Sequence, residues 1–357
     1  MSFYNQKSSI VTDSLGNIFN LEWRDGVIIG YYFNRFEEEI EKVEIANNVL
    51  EEYDVAIRSD DCIYLIYQGN DKHLYLSNIF KEEKEITQIT ESPIPHVYNL
   101  QLLLDGDDIH IFYDILIDEG NKVYRIYHHH YNNNHWNTNI VEDTRVLNIL
   151  NPINIICENE KIYIIFYDLV ENEEIFVKTY DIFEQIWSNK TRLTYDTSSK
   201  LYLDTLLENN ILHLTYSKYI DGNFGISYIN FDISNNSFHK KVESIMSNIE
   251  NCSHPILIKY LDKLWIIWLE YESIFSRYST DDGSKWSNIY QWRESKHIDF
   301  VRYKYAEYPT KDSNKKLNYS FGKVYPDISF LGFGPLDNII EIPLKKKKFL
   351  ISKIPMI

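Results

Sequence analysis

The residues most capable of chemistry stand together at His128-His129-His130, with His135 close behind. Neutral imidazole is the commonest protein ligand for transition metals. On a strand, successive side chains point to opposite faces. His128 and His130 therefore share one face and His129 takes the other. A zinc centre needs three or four ligands, and no cysteine or carboxylate spacing near this run supplies the remainder. The expectation is polar histidines on an outer strand, with no metal and no cofactor. His110 and His213 occupy equivalent points of a repeat traced below, which favours packing over ligation.

Other chemistry is harder to place. Asp and Glu number 53 against 36 Lys and Arg, for a net charge of −17. Phosphate recognition needs clustered basic residues, so a nucleic-acid or anionic-membrane surface is excluded as the main role. Acidic residues are too abundant for a catalytic carboxylate pair of the glycosidase kind to be singled out. No G-x-S-x-G, P-loop or H-E-x-x-H sequence occurs. Cys62, Cys157 and Cys252 are widely separated and odd in number, which argues against a disulfide framework. Cys62 and Cys157 lie in apolar runs and are expected to be buried thiols. Residues 1–7 contain no apolar signal core, and no apolar run approaches the ~18 residues that span a bilayer. A cytoplasmic location is expected, or an extracellular one if a leader has been removed.

The elements that would position these groups form a repeat. Aromatics make up 15% of the chain, with 29 Tyr, and long amphipathic helical stretches are scarce. Short strands ending in an aromatic recur, closing at Trp23, Tyr67, Tyr113, Tyr167, Tyr216 and Trp268, at intervals of 44 to 54 residues. Each is preceded by an apolar strand and followed by two more. Four strands per 40–50 residues is the period of propeller blades, and a blade must stack on neighbours to bury its faces. The fold class predicted is an all-β propeller of four-stranded antiparallel blades. The units span 8–46, 53–90, 98–142, 151–194, 201–245 and 254–292, with a seventh at 299–340 reached by one further step to Tyr319. Six blades with a C-terminal extension is the alternative. Glu37-Glu38-Glu39 is read as part of a hairpin and not as a helix start. The propeller would occupy 1–340, followed by a basic tail at 341–357 whose Lys345-Lys346-Lys347-Lys348 run could dock an acidic partner.

The outer hairpins give a second check. Trp136, Trp187, Phe238 and Trp286 recur at intervals of 48 to 51 residues, each after a polar turn. The last of these reads Ser279-Thr280-Asp281-Asp282-Gly283-Ser284-Lys285-Trp286. In a tight turn Asp281 can accept backbone N–H bonds, Gly283 can take a positive φ, and Trp286 can fold back under the loop. This octapeptide resembles the Asp-box, or BNR repeat, of sialidase-like β-propellers. Thr179-x-Asp181 before Trp187, and Asp232 before Phe238, look like decayed copies that lack the glycine. The resemblance implies architecture, because in that family the box lies on hairpins away from the active face. Sialidases bind an acidic sugar through three arginines, and an early Arg-Ile-Pro carries one of them. Here neither Arg24 nor Arg35 precedes such a pair.

In propellers, ligands usually meet the face where inner strands begin. The loops entering those strands carry His96, Tyr98, Arg145, Tyr195, His254, His297 and, just inside the last unit, Arg302. The loops at 114–121 and 217–223 reach the same face. Aromatic and hydrogen-bonding groups there suit a sugar or a peptide. The expected function is non-catalytic binding of a carbohydrate or protein partner on the axial face. A sialidase-like glycoside hydrolase and a structural component without a small ligand are the alternatives.

Overall fold

The computed structural model describes residues 7–36, 40–79, 85–148, 153–234, 237–310 and 314–345. Glu37–Glu39 and the tail beyond Lys345 lie outside the described residues. The chain forms six antiparallel-based sheets arranged as a six-bladed β-propeller. Blades 2, 3 and 5 have four strands each, running outward in chain order from Val49–Ile57, Val97–Asp105 and Lys200–Glu208. Blade 4 starts at Asn154–Glu158, and its outer edge is split into Ile186–Trp187 and Thr191–Arg192. Blade 6 is built on Ser253–Tyr260, Lys263–Glu270, Ser273–Ser279 and Ile289–Trp292. Blade 1 is built on Ser8–Thr12, Ile18–Arg24, Val27–Phe33 and Ile40–Asn47.

Second strands are buried on both faces. Ile162 to Tyr167 and Leu264 to Leu269 are buried without a break, so these runs read as continuous apolar segments and not as alternation. One face of each packs on the preceding blade and the other on the next. One core cluster accordingly joins Ile165 and Val177 of blade 4 to Leu203, Leu214 and Phe231 of blade 5. Burying each such Leu or Ile contributes ~2 kcal/mol.

The seventh blade does not form. A strand does appear at Val301–Glu307, close to the expected Asp299–Tyr305, but it pairs in parallel with Ser8–Thr12, Ser9 opposite Lys304 and Thr12 opposite Glu307. Tyr319–Gly322 then adds to Val301–Glu307, giving blade 1 six strands. Lys315–Leu317 pairs with the first strand of blade 6, and Ile339–Ile342 adds to its last strand. The predicted strand at Ile328–Phe333 is reduced to a single bridge between Phe321 and Leu331. The physical reason is strand length. Segments of three or four residues cannot cover a neighbouring sheet, so they extend two existing blades. The alternative of six blades with an extension is the architecture observed.

Two smaller expectations also change. Cys62 lies outside its strand, which begins at Ile63, and Cys62 and Cys157 are only partly buried. Cys252 is the fully buried thiol, and burial pushes its pKa up to about 12.

The 279–286 hairpin closes as its residue types require. The Ser279 hydroxyl donates to Asp281 Oδ1 at 2.8 Å and accepts the Gly283 N–H at 2.9 Å. Asp281 Oδ1 also accepts the Lys285 N–H at 2.7 Å, and Trp286 Nε1 donates to the Gly283 carbonyl at 3.0 Å. The outer strand starts at Ile289, later than Trp286. Gly283 has φ +84°, and a Cβ there would fall 1.9 Å from the Tyr228 hydroxyl of blade 5. In the corresponding turns of blades 3 and 4, Asn134 at φ 65° and Gln185 at φ 56° take the positive φ. Replacing Gly283 by Ala combines backbone strain with a steric overlap, and is expected to cost about 2–4 kcal/mol. A urea unfolding midpoint equal to that of the unsubstituted protein would refute this packing.

Candidate functional site

The axis is occupied by the chain itself. Lys304 Nζ pairs with Asp54 of blade 2. Lys316 Nζ reaches Glu158 Oε2 of blade 4 at 2.7 Å and the Leu207 carbonyl of blade 5 at 2.5 Å. Asn318 Nδ2 donates to the Thr205 carbonyl of blade 5 at 2.9 Å. Strand pairing adds blades 1 and 6. A segment that touches inner strands of five of the six blades must run through the centre.

The inner strands also latch onto one another. Asp54 accepts the Leu102 N–H at 2.7 Å, and Asp204 accepts the Leu257 N–H at 2.8 Å. Asn154 Nδ2 donates to the Leu203 carbonyl at 3.2 Å, and Gln101 donates to the Ile153 carbonyl. From blade 2 to blade 5, each inner strand thus gives at least one polar side chain to the next blade, and blade 2 adds Glu52, which accepts the Leu100 N–H at 3.2 Å. Burial pushes the Asp204 carboxyl up to about 6, against the pull of the Leu257 N–H and the nearby Arg302 charge.

The upper face, defined by the loops that enter the inner strands, carries the residues expected to bind. They do not gather into one site, although His96 neighbours Tyr98 and His254 neighbours Arg302. His96 meets Tyr98 edge-on at 5.0 Å, and Tyr98 in turn meets Tyr124 at 5.8 Å. The His254 ring lies on Tyr202 at 3.9 Å, and burial together with Arg302 pushes its imidazole down to about 3. The Arg302 guanidinium sits 3.6 Å over the Tyr319 ring. Arg145 lies where blade 3 meets blade 4, where its backbone N–H donates to Asp168 Oδ1 and its guanidinium to the Leu169 carbonyl. Tyr195 is exposed under the Arg192 guanidinium, 4.6 Å away. His297 lines a separate groove with Arg293, Lys323 and Asp327. The arginines are dispersed as well: Arg24 pairs with Glu22, Arg58 with Asp60, Arg125 with Asp143 and Arg192 with Glu174.

The expected outer-strand histidines are buried. His128 and His130 do share a face, but they lie on the third strand of blade 3 against His110, all three almost fully enclosed. Burial pushes His110 down to about 3, His128 to about 2 and His129 to about 4. His129 packs on the opposite side, 2.7 Å from both the Tyr113 hydroxyl and Thr138 Oγ1. His135 remains exposed. His213, at the equivalent point of blade 5, is 2.7 Å from the Tyr228 hydroxyl.

A cleft of about 940 Å³ lies on the upper face between blades 5 and 6. Ile220, Ile245 and Ile249 give it apolar wall, while Lys218, Tyr219, Asp221, Asn248, Glu250 and Lys345 give it polar groups. Tyr219 is exposed and stacks edge-on with Phe224 at 5.3 Å. The Tyr271 hydroxyl donates to Glu250 Oε2 at 3.4 Å, and Lys345 pairs with the same carboxylate. The Lys345 N–H donates to Asn248 Oδ1 at 2.7 Å. Of these groups, the 217–223 loop was legible as part of the upper face. Asn248, Glu250 and Lys345 carried no signal, because they are brought together by the C-terminal extension.

A buried acid lies near the start of blade 3. Asp114 receives Asn99 Nδ2 at 3.1 Å on both oxygens. Asn99 reaches it because a bulge at this register gives Asn99 a φ of 51°. Burial pushes Asp114 up to about 7, the Asn99 bonds oppose this, and the Glu52 charge adds to it.

No protein-family description matches the chain, and no curated protein matches it. Among solved structures, an α-L-arabinofuranosidase from Fusarium graminearum is similar at 12% identity, over 77% of this chain and 92% of that one, with a TM-score of 0.49. The Aleuria aurantia lectin is similar at 10% identity, over 81% and 95%, with a TM-score of 0.49. An α-L-arabinanase from Penicillium chrysogenum is similar at 9% identity, over 76% and 89%, also at 0.49. The chain's own six sheets establish it as a six-bladed β-propeller.

The pKa of Asp114 gives a pH prediction. It lies above the ordinary ~3.9 of an aspartate, so the folded state binds this proton more tightly than the unfolded chain. The stability it contributes is full below about pH 4 and is lost as pH rises toward 7. Asp114→Asn removes that dependence. Relative to the unsubstituted protein the variant should gain about 4 kcal/mol between pH 4 and pH 8. Parallel stability–pH profiles from urea titrations would rule this out.

Proposed function

We propose that the protein is a non-catalytic binding module for a neutral carbohydrate, held in the cleft between blades 5 and 6. The observation that carries this reading is the exposed Tyr219 ring set beside amide and carboxylate groups in a concavity of about 940 Å³. A flat aromatic face covers the C–H side of a sugar ring, and convergent polar groups read its hydroxyls. The cleft is lined by both.

Catalysis at the axis is the weaker reading. A glycosidase needs two carboxyl groups free to act as acid and as base or nucleophile. The axial acids Asp54 and Glu158 are ion-paired with Lys304 and Lys316, and Asp204 holds a neighbouring backbone N–H. Sialidase chemistry would further require clustered arginines; Arg24, Arg58, Arg125 and Arg192 are spread over blades 1 to 4, each paired with an acid, and Arg277 of blade 6 is bound to backbone carbonyls. The hydrogen bonds of the 279–286 hairpin support its reading as an Asp-box-like turn, which bears on how blades are joined and not on what is bound. The lectin and arabinose-acting enzymes named above have their own ligands, and the sugar bound here is to be found by experiment.

A glycan array combined with a fluorogenic glycoside panel tests the proposal. Binding to a neutral glycan without turnover is expected. Tyr219→Ala should weaken that binding at least tenfold, about 1.4 kcal/mol, with an unchanged circular dichroism spectrum. Turnover of any glycoside, or full binding by Tyr219→Ala, would overturn it.

A further inference from the structure

The lower end of blade 3 holds a buried cluster that the carbohydrate reading does not use. His110 lies directly across from His130 on the neighbouring strand, and Phe112 across from His128. The His110 and His130 rings stack at 4.2 Å. His110 Nδ1 is 2.9 Å from His128 Nε2, His130 Nε2 is 3.1 Å from Asp108 Oδ2, and the Tyr180 hydroxyl is 3.3 Å from His130 Nδ1. Asn132 Nδ2 donates to both oxygens of Asp108 at 2.7 Å. One ligand-capable atom from each of Asp108, His110 and His130 lies within 4.8 Å of the others.

Two ring nitrogens of this cluster, His110 Nε2 and His128 Nδ1, are buried with no hydrogen-bond partner. No choice of tautomers removes the problem. Two neutral imidazoles carry two protons and two lone pairs, and the bond between them uses one of each. One N–H and one lone pair are therefore left in the interior, where an unmet polar atom is destabilising. Blade 5 provides an internal comparison. His213, Tyr228 and Asn230 stand at the same level of its second and third strands. There the Tyr228 hydroxyl and Asn230 Nδ2 both reach the Asp282 carbonyl of the next hairpin, at 3.4 and 3.1 Å. In blade 3 the next hairpin supplies Trp187 instead, whose ring stands edge-on to His128 at 5.5 Å. An aromatic ring offers no comparable acceptor.

We propose that Asp108, His110 and His130 form a binding site for a divalent transition-metal ion of the zinc class. A metal on Nε2 of His110 and of His130 uses the orphaned lone pair and resolves the tautomers. His110 Nδ1–H then donates to His128 Nε2, and His130 Nδ1–H donates to the Tyr180 hydroxyl. This is the outer hydrogen bonding that orients metal-bound imidazoles. Two imidazoles and one carboxylate suit zinc better than calcium or magnesium, which take oxygen ligands. Asp108 is only partly buried, so the site opens to solvent on its side and leaves a fourth position for water.

The test uses the full, untagged chain, stripped with chelator and dialysed. Zn²⁺ is titrated by calorimetry, and Co²⁺ by visible absorption. One ion per chain is expected, with the intense d–d bands of a four-coordinate site and a thermal midpoint that rises with added Zn²⁺. Asp108→Asn and His130→Asn should each weaken Zn²⁺ binding at least tenfold, while His135→Ala leaves it unchanged. His130→Asn installs the residue type found at Asn230, and Asp108→Asn alters a partly exposed side chain, so the second keeps the test decisive if the first fails to fold. Absence of stoichiometric binding at micromolar Zn²⁺ would overturn the proposal. So would loss of binding on His135→Ala with both other variants behaving as the unsubstituted protein.

Discussion

Closing the ring is the constraint on which the structure depends. Each blade buries its faces on its neighbours, so a ring that opens exposes two whole sheets. The parallel pairing of Ser8–Thr12 with Val301–Glu307 joins the two ends of the propeller into one sheet. The same C-terminal segment brings Lys304 and Lys316 to Asp54 and Glu158 around the axis. Several acids facing a narrow centre would repel in a low-dielectric interior, and these lysines offset that repulsion. The extension is thus a fastener and a counter-charge together, which explains why it is not a seventh blade.

The side chains of the inner strands show how neighbouring blades are held at fixed height. Asp54, Gln101, Asn154 and Asp204 each reach the backbone of the next blade's inner strand or the residue just before it. Backbone groups on these strand edges would otherwise be buried without partners. At the outer edge the work passes to the hairpins. Gly283 lets the 279–286 turn approach Tyr228, and the Asp282 carbonyl satisfies blade 5. Blade 3 keeps the same strand geometry with histidines in place of Tyr228 and Asn230. Its polar demand is left unmet at His110 Nε2 and His128 Nδ1.

The blade pattern was legible because it rests on local terms. Trp23, Tyr67, Tyr113, Tyr167, Tyr216 and Trp268 all lie in second strands whose burial on both faces demands apolar runs, although Tyr113 and Tyr216 sit mid-strand and do not close them. The hairpin at 279–286 was legible for the same reason, since Ser279, Asp281 and Gly283 bond within eight residues. What depends on long-range partners was not. The step to Tyr319 fits the repeat interval, yet nothing local in Val301–Glu307 announces that its partner is Ser8–Thr12. His128 and His130 were correctly placed on one face, but their burial depends on His110 and on Tyr180 of blade 4. The upper-face residues were chosen loop by loop, and a loop's position does not say which of its neighbours it meets. Arg145 and Arg302 accordingly fall in different surroundings.

Charge narrows the class of ligand that the cleft can hold. A net charge of −17 sets a repulsive background for anions, though screening limits its reach to about 8 Å at physiological salt. Local pairing therefore decides. Lys218 is held by Asp196 at 3.0 Å, and Lys345 by Glu250. An acidic sugar would have to draw one of these lysines from its partner, leaving a carboxylate beside the incoming charge. A neutral sugar exchanges hydrogen bonds with water for hydrogen bonds with Asn248, Glu250 and the Tyr219 hydroxyl, and covers apolar wall at Ile245 and Ile249. Only the second exchange keeps Lys218 and Lys345 with their carboxylate partners, and this is the physical ground for proposing a neutral glycan there.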